Sequence, residues 1–345
     1  MNISLQIEKL ISKNDLSKEE SYLLMKEILA GCVLPAQIAA LLTALRSKGE
    51  AASEIAGFVK AMREAMVPIH PNSPVVIDTC GTGGDGKGTF NISTASAFVA
   101  AGAGYTVAKH GNRSISSQCG SADVLEALGV KVEMTKETAE KCLNEIGITF
   151  LFAPIYHPAM KNVGSIRKEL GIRTIFNLLG PMLNPANANA QVVGVAKKEL
   201  VPILAKVFKD LDSCPLSCEM IVHENGYDEI ALNSKGKSAL ILNKKVQFKN
   251  FTPKTFKMKR VNPMALKGGN AKENALLLKE LFSTKDHPLK DVVIVNAALA
   301  IFCASSLKFR KQKKTISDAI EEARESLLNG SALEKLNKLI DWSNR

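Results

Sequence analysis

The chain has 345 residues, 46% of them hydrophobic and 5% aromatic, so it exceeds one typical domain and can bury a large, mostly aliphatic core. Its formal net charge of +11 suits anionic partners, although on charge alone a soluble basic surface without a partner is favoured over nucleic-acid binding. A cytoplasmic protein is expected, because the chain starts without signal-peptide features and no apolar run reaches the roughly 20 residues of a membrane span. The seven cysteines are scattered, so reduced thiols are expected.

The first seventy residues predict helices, because apolar side chains recur at helical spacing. Ser17 and Glu20 have the spacing of a capping box for the second helix, and Ser53 is expected to open the fourth. The apolar stripes, which predict a core or an oligomer contact, are Ile7, Leu10 and Ile11, then Ile38, Leu41, Leu42 and Leu45, then Ile55, Phe58, Val59, Met62 and Met66. Prolines between residues 68 and 74 then suggest a linker.

After residue 74, β-branched runs alternate with helical segments, a pattern that predicts a parallel sheet covered by helices. The expected strands are 75–78, 105–108, 130–134, 149–152, 191–195 and 220–222. The expected helices between them are 94–101, 122–128, 136–146 and 198–208. Residues 236–260 predict a small β region or exposed loop, and the chain from Ala271 on is expected to be helical. The apolar run 292–305 is too short for a membrane span and contains Asn296.

A glycine-rich loop, residues 81–94, follows the first strand of the predicted sheet and ends where Ser93 and Thr94 open a helix. Glycines allow close approach of the backbone to a ligand, and helix N-termini at the carboxyl edge of a parallel sheet attract anions. Asp85 would repel a phosphate unless a cation or a hydrogen-bond network intervenes. The loop also resembles the dinucleotide fingerprint and the P-loop. The dinucleotide fingerprint is rejected because basic residues stand where it requires an acidic residue. The P-loop is rejected because Gly88 stands where it requires a Ser or Thr hydroxyl.

A second polar loop, residues 109–121, follows the next strand and precedes a helix that Ser121 is placed to cap. Lys109, His110, Arg113 and several hydroxyl groups suit the binding of an oxyanion. A polar turn with an ordinary helix cap would explain this loop equally well by itself. The two loops together favour an anion-binding site.

Four segments together resemble anthranilate phosphoribosyltransferases in order and spacing: GTGGDGKGTFNIST (81–94), KHGNRSISS (109–117), GSADVLEALGV (120–130) and RKELGIRTIFNLLGPMLNP (167–185). The resemblance covers essentially the whole chain. It implies a small N-terminal helical domain (1–70, joined by helices within 159–185) and a large α/β domain (74–345) with a mostly parallel central sheet, the nucleoside phosphorylase/phosphoribosyltransferase type of fold. The implied reaction transfers the phosphoribosyl group of phosphoribosyl pyrophosphate (PRPP) to the amine of anthranilate, in tryptophan biosynthesis.

The same resemblance implies the site residues. PRPP is expected at Gly81, Gly84, Asp85, Thr89, Asn91, Ile92, Ser93, Thr94, Lys109, His110, Gly111, Asn112, Arg113, Ser114, Ile115, Ser116, Ser117 and Ser121. Anthranilate is expected at Gly81, Asn112 and Arg167, with His110 and His157 as secondary candidates. Two Mg²⁺ ions per subunit are expected at Ser93, Asp228 and Glu229, although an Asp-Glu pair alone is more often a solvated turn. No catalytic acid or base is expected, since positioning and electrostatics suffice.

The chain departs from the family's usual residues at Gln118, Cys119, Glu224 and Tyr227. The first two are expected to weaken phosphate binding, and Glu224 is expected to add negative charge near the metals. Two rival functions share the fold: a pyrimidine nucleoside phosphorylase and a non-enzyme that binds nucleic acid. Loop 109–117 and the acidic pair disfavour the first. Intact Asn112 and Arg167, together with the acidic pair, disfavour the second. A homodimer through the helical domain is expected, and membrane or nucleic-acid partners are not.

Overall fold

The computed structural model describes residues 2–114, 118–211, 216–308 and 314–345. The chain begins with the expected helices, which are α1 (Ile3–Ile11), α2 (Lys18–Leu29), α3 (Pro35–Lys48) and α4 (Ala52–Ala65). Ser17 and Glu20 form the predicted capping box. The prediction that Ser53 opens α4 is wrong. The helix begins at Ala52, Glu54 accepts the Ala51 N–H at 2.7 Å, and the Ser53 hydroxyl instead donates to Leu16 O at 2.8 Å.

The remaining chain alternates strands and helices. Its first half contains β1 (Val76–Thr79), α5 (Ile92–Gly102), β2 (Thr106–Gly111), α6 (Ser121–Leu128), α7 (Lys136–Ile146), β3 (Ile148–Phe152), α8 (Ala153–Tyr156), α9 (Lys161–Leu170) and α10 (Phe176–Leu179). Its second half contains β4 (Ala190–Gly194), α11 (Leu200–Asp210), β5 (Cys218–Glu224), β6 (Gly236–Leu242), β7 (Lys245–Phe251), α12 (Ala271–Ser283), α13 (Lys290–Lys308), α14 (Ile316–Leu328) and α15 (Ser331–Ser343).

The strands form one seven-stranded sheet in the order β3-β2-β1-β4-β5-β6-β7. Strands β1 to β5 are parallel, whereas β6 and β7 are antiparallel and form a hairpin. The predicted mostly parallel sheet and the predicted β region in 236–260 are therefore confirmed. Because the carboxyl ends of β1, β2 and β5 meet at one edge, the loops that follow them converge there.

The predicted strand at 130–134 is wrong. Val130, Val132 and Met134 are buried, and the residues between them are exposed, which is the alternation of a half-buried strand. This extended segment connects α6 to α7 and pairs with no described strand. The Lys131 N–H donates to the Ser343 hydroxyl of α15 at 3.0 Å, so a side chain satisfies the backbone group that a neighbouring strand would have bonded.

Helices α9 and α10 pack beside the N-terminal helices, with α9 against α2 and α3, and α10 against α4. Val163 and Ile166 of α9 are buried in the same apolar cluster as Leu41 and Leu42 of α3. A second apolar cluster covers the sheet with α5, α12 and α13.

Helix α13 corrects the expectation that no segment is long and apolar enough to span a membrane. The helix has 19 residues, and its segment 290–307 is long enough and apolar enough to cross a membrane, judged by length and composition alone. In this fold 78% of that window is buried, against α5, α14 and the sheet. Helix α13 is therefore the central core helix of the α/β part, where Asn296 bonds both backbone groups of Ile230.

Candidate active site at the carboxyl edge of the sheet

A cavity of about 370 Å³ opens at the carboxyl edge of the sheet, between β1, β2 and the segment after α9. Both predicted loops and the acidic pair meet in it. The predicted residues that line it are Gly81, Gly84, Asp85, Thr89, Asn91, Ser93, Thr94, Lys109, His110, Gly111, Asn112, Arg113, Ser114, Ser121, Asp228 and Glu229. A second cavity, of about 460 Å³, lies near Tyr105 at the opposite edge and contains none of them.

Several expected residues stand apart from this lining. The Ile92 side chain is buried in the core, and its backbone N–H donates to Phe90 O at 2.7 Å. Arg167 lies on α9 with its guanidinium 5.1 Å from the centre of the Phe176 ring, and it does not line the described cavity. Ile115, Ser116 and Ser117 lie outside the described residues.

The glycine loop takes a shape that only glycine adopts readily. Gly83, Gly84, Gly86 and Gly88 all have φ between 63° and 71°, in the left-handed region that disfavours other residues. A distant segment holds the loop in place, because Phe90 N donates to Leu266 O at 3.0 Å and Gly268 N donates to Gly88 O at 2.9 Å. The glycine loop and the first turn of α5 therefore line the cavity together, with Gly83, Gly84 and Ser93 among the lining residues.

The prediction that Ser121 caps α6 is wrong by one residue. Gly120 occupies the cap position, and its N–H donates to the Asp123 carboxylate at 2.7 Å. The Ser121 hydroxyl donates to Asn112 O at 3.3 Å, so it joins the two ends of loop 111–121 instead. Because Ser121 still lines the cavity, its expected place near the donor is unaffected.

The two cationic residues of the second loop differ in their surroundings. Lys109 is buried, and its Nζ donates to Thr79 O at 2.7 Å and to the Ser93 hydroxyl at 3.4 Å. Burial raises the pKa of neighbouring Asp78 to about 6, and Lys109 opposes that rise. The Arg113 guanidinium instead forms an ion pair with both oxygens of Glu126 and lies 3.6 Å from Glu133. Its charge is therefore largely neutralised within the protein.

Three acidic residues gather at one side of the cavity. Burial, followed by the charge of Asp85, raises the pKa of Asp228 to about 7. Burial and Asp228 raise the pKa of Glu229 well above its usual value, although Glu229 accepts the Ser93 N–H at 2.9 Å. Among the described residues, one oxygen of Asp85 is buried without a hydrogen-bond partner. Their carboxylate oxygens are of the hard type that a divalent cation such as Mg²⁺ prefers.

The structure corrects the expected effect of Glu224. Its side chain is fully buried, and its carboxylate turns into its own loop rather than toward the metals. The two oxygens accept backbone N–H groups at 2.6–3.1 Å from Ala231, Leu232, Asn233 and Ser234. Glu224 therefore stabilises the loop that carries Asp228 and Glu229, and four amides compensate its charge.

The other departures lie at different distances from the cavity. Cys119 lines it, and its buried thiol lies 3.4 Å from Asn91 Oδ1. Gln118 is exposed. Tyr227 packs under Lys87, whose Nζ is 5.0 Å from the ring centre. Only Cys119 is therefore placed to alter donor binding directly.

Two buried histidines lie at the side of the cavity near α10. His110 Nδ1 is 3.3 Å from Gly180 O, and His110 Nε2 is 3.3 Å from His157 Nε2. Burial lowers the pKa of His110 to about 3 and that of His157 to about 4. Both rings are therefore neutral at physiological pH. His110 lines the cavity and His157 contacts its ring, so the positive charge of the lining comes from lysine and arginine.

Sequence reasoning missed several residues that line the cavity from the segment after α9, namely Arg173, Asn177 and Gly180. Arg173 Nη2 donates to Thr82 O at 3.0 Å, across the cavity from its own segment. All three lie within segment 167–185, one of the four segments that resemble the family, and this position was the sequence feature that could have predicted them. The contact itself joins residues 91 positions apart and has no local sequence signature.

Comparisons with known proteins agree with this geometry. Two family models match: "Glycosyl transferase family, helical bundle domain" over residues 6–66 and "Glycosyl transferase family, a/b domain" over residues 73–333. An anthranilate phosphoribosyltransferase of Moorella thermoacetica is 45% identical over 338 residues, 98% of this chain and 97% of the relative. One of Methanocorpusculum labreanum is 45% identical over 335 residues, 97% of this chain and 96% of the relative.

Solved structures give the same result. The anthranilate phosphoribosyltransferase of Thermus thermophilus superposes with a TM-score of 0.89 at 39% identity, covering 99% of both chains. That of Saccharomyces cerevisiae, described as "in complex with PRPP and Mg", has a TM-score of 0.86 at 31% identity and covers 99% of this chain and 98% of its own. The chain therefore belongs to the anthranilate phosphoribosyltransferase family.

Proposed function

We propose that the cavity at the carboxyl edge of the sheet is the active site for the family reaction. The chain transfers the phosphoribosyl group of PRPP to the amine of anthranilate, which gives N-(5-phosphoribosyl)anthranilate and diphosphate in tryptophan biosynthesis. The observation that carries the assignment is that the glycine loop, the 109–121 loop and the acidic pair line one cavity. Yeast homologues solved with "PRPP and Mg" and with "4-fluoroanthranilate" support it.

The donor subsite is proposed on the two loops. Phosphate oxygens accept hydrogen bonds well from backbone amides, hydroxyl groups and a buried lysine, and the N-terminus of α5 adds a favourable dipole. Lys109 lies beside Ser93, where its ammonium group can bind a phosphate oxygen. Ile92 is proposed to contact PRPP through its backbone. Residues 115–117 are proposed as donor residues because the family resemblance implies them.

The enzyme uses Mg²⁺, as the yeast homologue's complex indicates. We propose that two ions are held by Ser93, Asp228 and Glu229, whose hydroxyl and carboxylate groups are the hard oxygen donors that Mg²⁺ prefers. When bound, the metal supplies positive charge for the departing diphosphate. The raised pKa values of the carboxyl groups fit this role, because cation binding would relieve the repulsion that causes part of the rise.

The acceptor subsite is proposed at Gly81, Asn112 and Arg167. The Arg167 side chain makes no hydrogen bond to any described residue, and burial lowers its pKa. Its guanidinium is therefore available to bind a carboxylate in the bidentate geometry that arginine favours. Because Arg167 lies on α9 outside the present lining, binding of anthranilate would need α9 and the α/β part to approach each other.

The proposed chemistry is displacement at the anomeric carbon of the ribose. The bond to diphosphate breaks, the arylamine nitrogen forms the new bond from the opposite face, and the amine then releases a proton to solvent. An arylamine has a free electron pair, so no general base is required. Neutral His110 and His157 are consistent with catalysis by positioning and electrostatics.

We also propose the larger arrangement that the family resemblance implies. Residues 1–70 with helices from 159–185 would form the helical domain, and residues 74–345 the α/β domain. Exposed apolar side chains on α1 and α2 and just before α3, including Leu5, Leu23 and Leu34, support a homodimer through the helical domain. A cytoplasmic location is supported by the described cysteines, all of which are free.

The acidic pair provides the direct test of the site. Asp228→Asn combined with Glu229→Gln removes both carboxylates and nearly preserves side-chain size. We expect turnover to fall by at least about 100-fold, since electrostatic stabilisation of the leaving group is a dominant contribution. Anthranilate consumption at saturating Mg²⁺ and the far-UV spectrum would be measured together. Wild-type turnover in a folded double variant would remove these residues from the mechanism.

A further inference from the structure

Arg173 crosses the cavity from the segment between α9 and α10 and lies on the glycine loop. Its Nη2 donates to Thr82 O at 3.0 Å. Its Nη1 lies over Gly84, where an added Cβ would come within 1.0 Å of it. The guanidinium therefore fills a notch that exists because residue 84 has no side chain.

The charge of Arg173 is less compensated than that of the other arginine in the lining. Arg113 is paired with Glu126 and Glu133, whereas Arg173 makes no ion pair with any described residue. Its single hydrogen bond goes to a neutral carbonyl, although a guanidinium carries five N–H donors. The charged groups around it are Asp228, Arg46, Asp85 and Glu50, and burial outweighs their combined effect and lowers its pKa.

We propose that Arg173 binds the diphosphate group of PRPP, as an additional donor ligand supplied from the helical side of the cavity. The proposal rests on the proposed function of this cavity. The diphosphate must lie near the metals, and Asp85 and Asp228 are the acids nearest to Arg173 in the lining. On donor binding, the guanidinium exchanges the Thr82 carbonyl for phosphate oxygens, which its planar fork matches in geometry and charge.

Arg173 and the proposed acceptor arginine, Arg167, belong to one segment of the chain but serve different subsites. Arg173 follows α9 directly, through the left-handed Gly171 with φ of 61°. Arg167 lies on the last turns of the same helix. The exchange of partners is confined to the end of the Arg173 side chain, and Arg173 lies beyond the end of α9, so Arg167 keeps its place and the acceptor subsite is left unchanged.

The test compares Arg173→Gln and Arg173→Lys with Arg46→Gln, a control that removes a nearby arginine of α3 outside the cavity lining. We expect Arg173→Gln to raise the KM for PRPP roughly 10- to 100-fold, which is the factor in affinity that one charge-assisted hydrogen bond contributes. We expect weaker binding of inorganic diphosphate with Mg²⁺ by calorimetry, and little change in the KM for anthranilate. Arg173→Lys should recover part of the loss, and Arg46→Gln should behave like the wild type.

Chemical rescue separates a ligand from a structural contact. Added guanidinium ion should restore part of the PRPP turnover of Arg173→Ala, because the small cation can occupy the notch over Gly84. An unchanged KM for PRPP, a rise only in the KM for anthranilate, or a loss for both substrates without rescue would each overturn the proposal. Failure of the proposed function would look different, since the wild type itself would then not consume PRPP with anthranilate.

Discussion

Individual side chains in the cavity take their charge and role from their surroundings. Lys109 and Arg113 are both cations of one loop, yet Lys109 is buried beside Ser93 and Arg113 is neutralised by Glu126. His110 and His157 are buried and remain neutral. The site therefore combines concentrated charge with neutral walls, which is the arrangement that electrostatic catalysis needs.

Arg167 tests the acceptor subsite at this scale. Arg167→Ala should raise the KM for anthranilate roughly 10- to 100-fold, because it removes a charge-assisted hydrogen bond worth about 1.5–3 kcal/mol. The KM for PRPP should change little. The neighbouring exposed Lys168 provides the matched control, Lys168→Ala, for loss of one positive charge on α9. An effect confined to PRPP would place Arg167 in the donor subsite instead.

The histidine pair makes stability depend on pH. Both folded-state pKa values are depressed, to about 3 and about 4, below the usual 6.5 of histidine. The unfolded chain therefore binds more protons between about pH 4 and 6.5, and the free energy of unfolding falls as pH falls through that window. His157→Gln should reduce this fall by roughly 1–3 kcal/mol. Urea unfolding at pH 7 and pH 5 measures it, and parallel pH profiles for both proteins would refute the assignment.

At the scale of elements, the sequence predicted the order of strands and helices well but not their tertiary partners. Apolar periodicity located the first helices and the parallel strands, because burial of one face dictates it. The same alternation misled at 130–134, where the buried side chains pack onto helices instead of belonging to a strand in the sheet. Arg173 was missed because its partner loop is distant in sequence.

Glu224 shows how charge alone misleads. An acidic residue four positions before Asp228 suggested a third carboxylate near the metals, but its partners are the amides of the following loop. Glu224→Ala should destabilise the protein by about 2–4 kcal/mol, since it leaves buried amides without acceptors. The same variant should raise the Mg²⁺ concentration needed for half-maximal activity. Glu224→Gln, which retains one oxygen acceptor, should fall between Glu224→Ala and the wild type in urea unfolding. Wild-type stability of Glu224→Ala would contradict the role.

At the scale of the whole molecule, the net positive charge is concentrated in one segment of the chain. Residues 230–272 contain no acid, and their eleven Lys and Arg residues equal the formal net charge of +11; these are Lys235, Lys237, Lys244, Lys245, Lys249, Lys254, Lys257, Lys259, Arg260, Lys267 and Lys272. Lys245 and Lys249 lie on β7, the last strand of the sheet, where lysines oppose pairing with another chain. The charge that first suggested anionic partners is therefore explained largely by the surface and edge of the sheet, while the site itself balances cations against acids.

The assignment as a whole depends on one reaction. Anthranilate fluorescence, followed with purified protein in the presence and absence of PRPP and Mg²⁺, tests it most directly. We predict that anthranilate is consumed only when both are present, with one diphosphate released for each anthranilate lost. Absence of consumption under these conditions, or phosphorolysis of a pyrimidine nucleoside by the same preparation, would contradict the account.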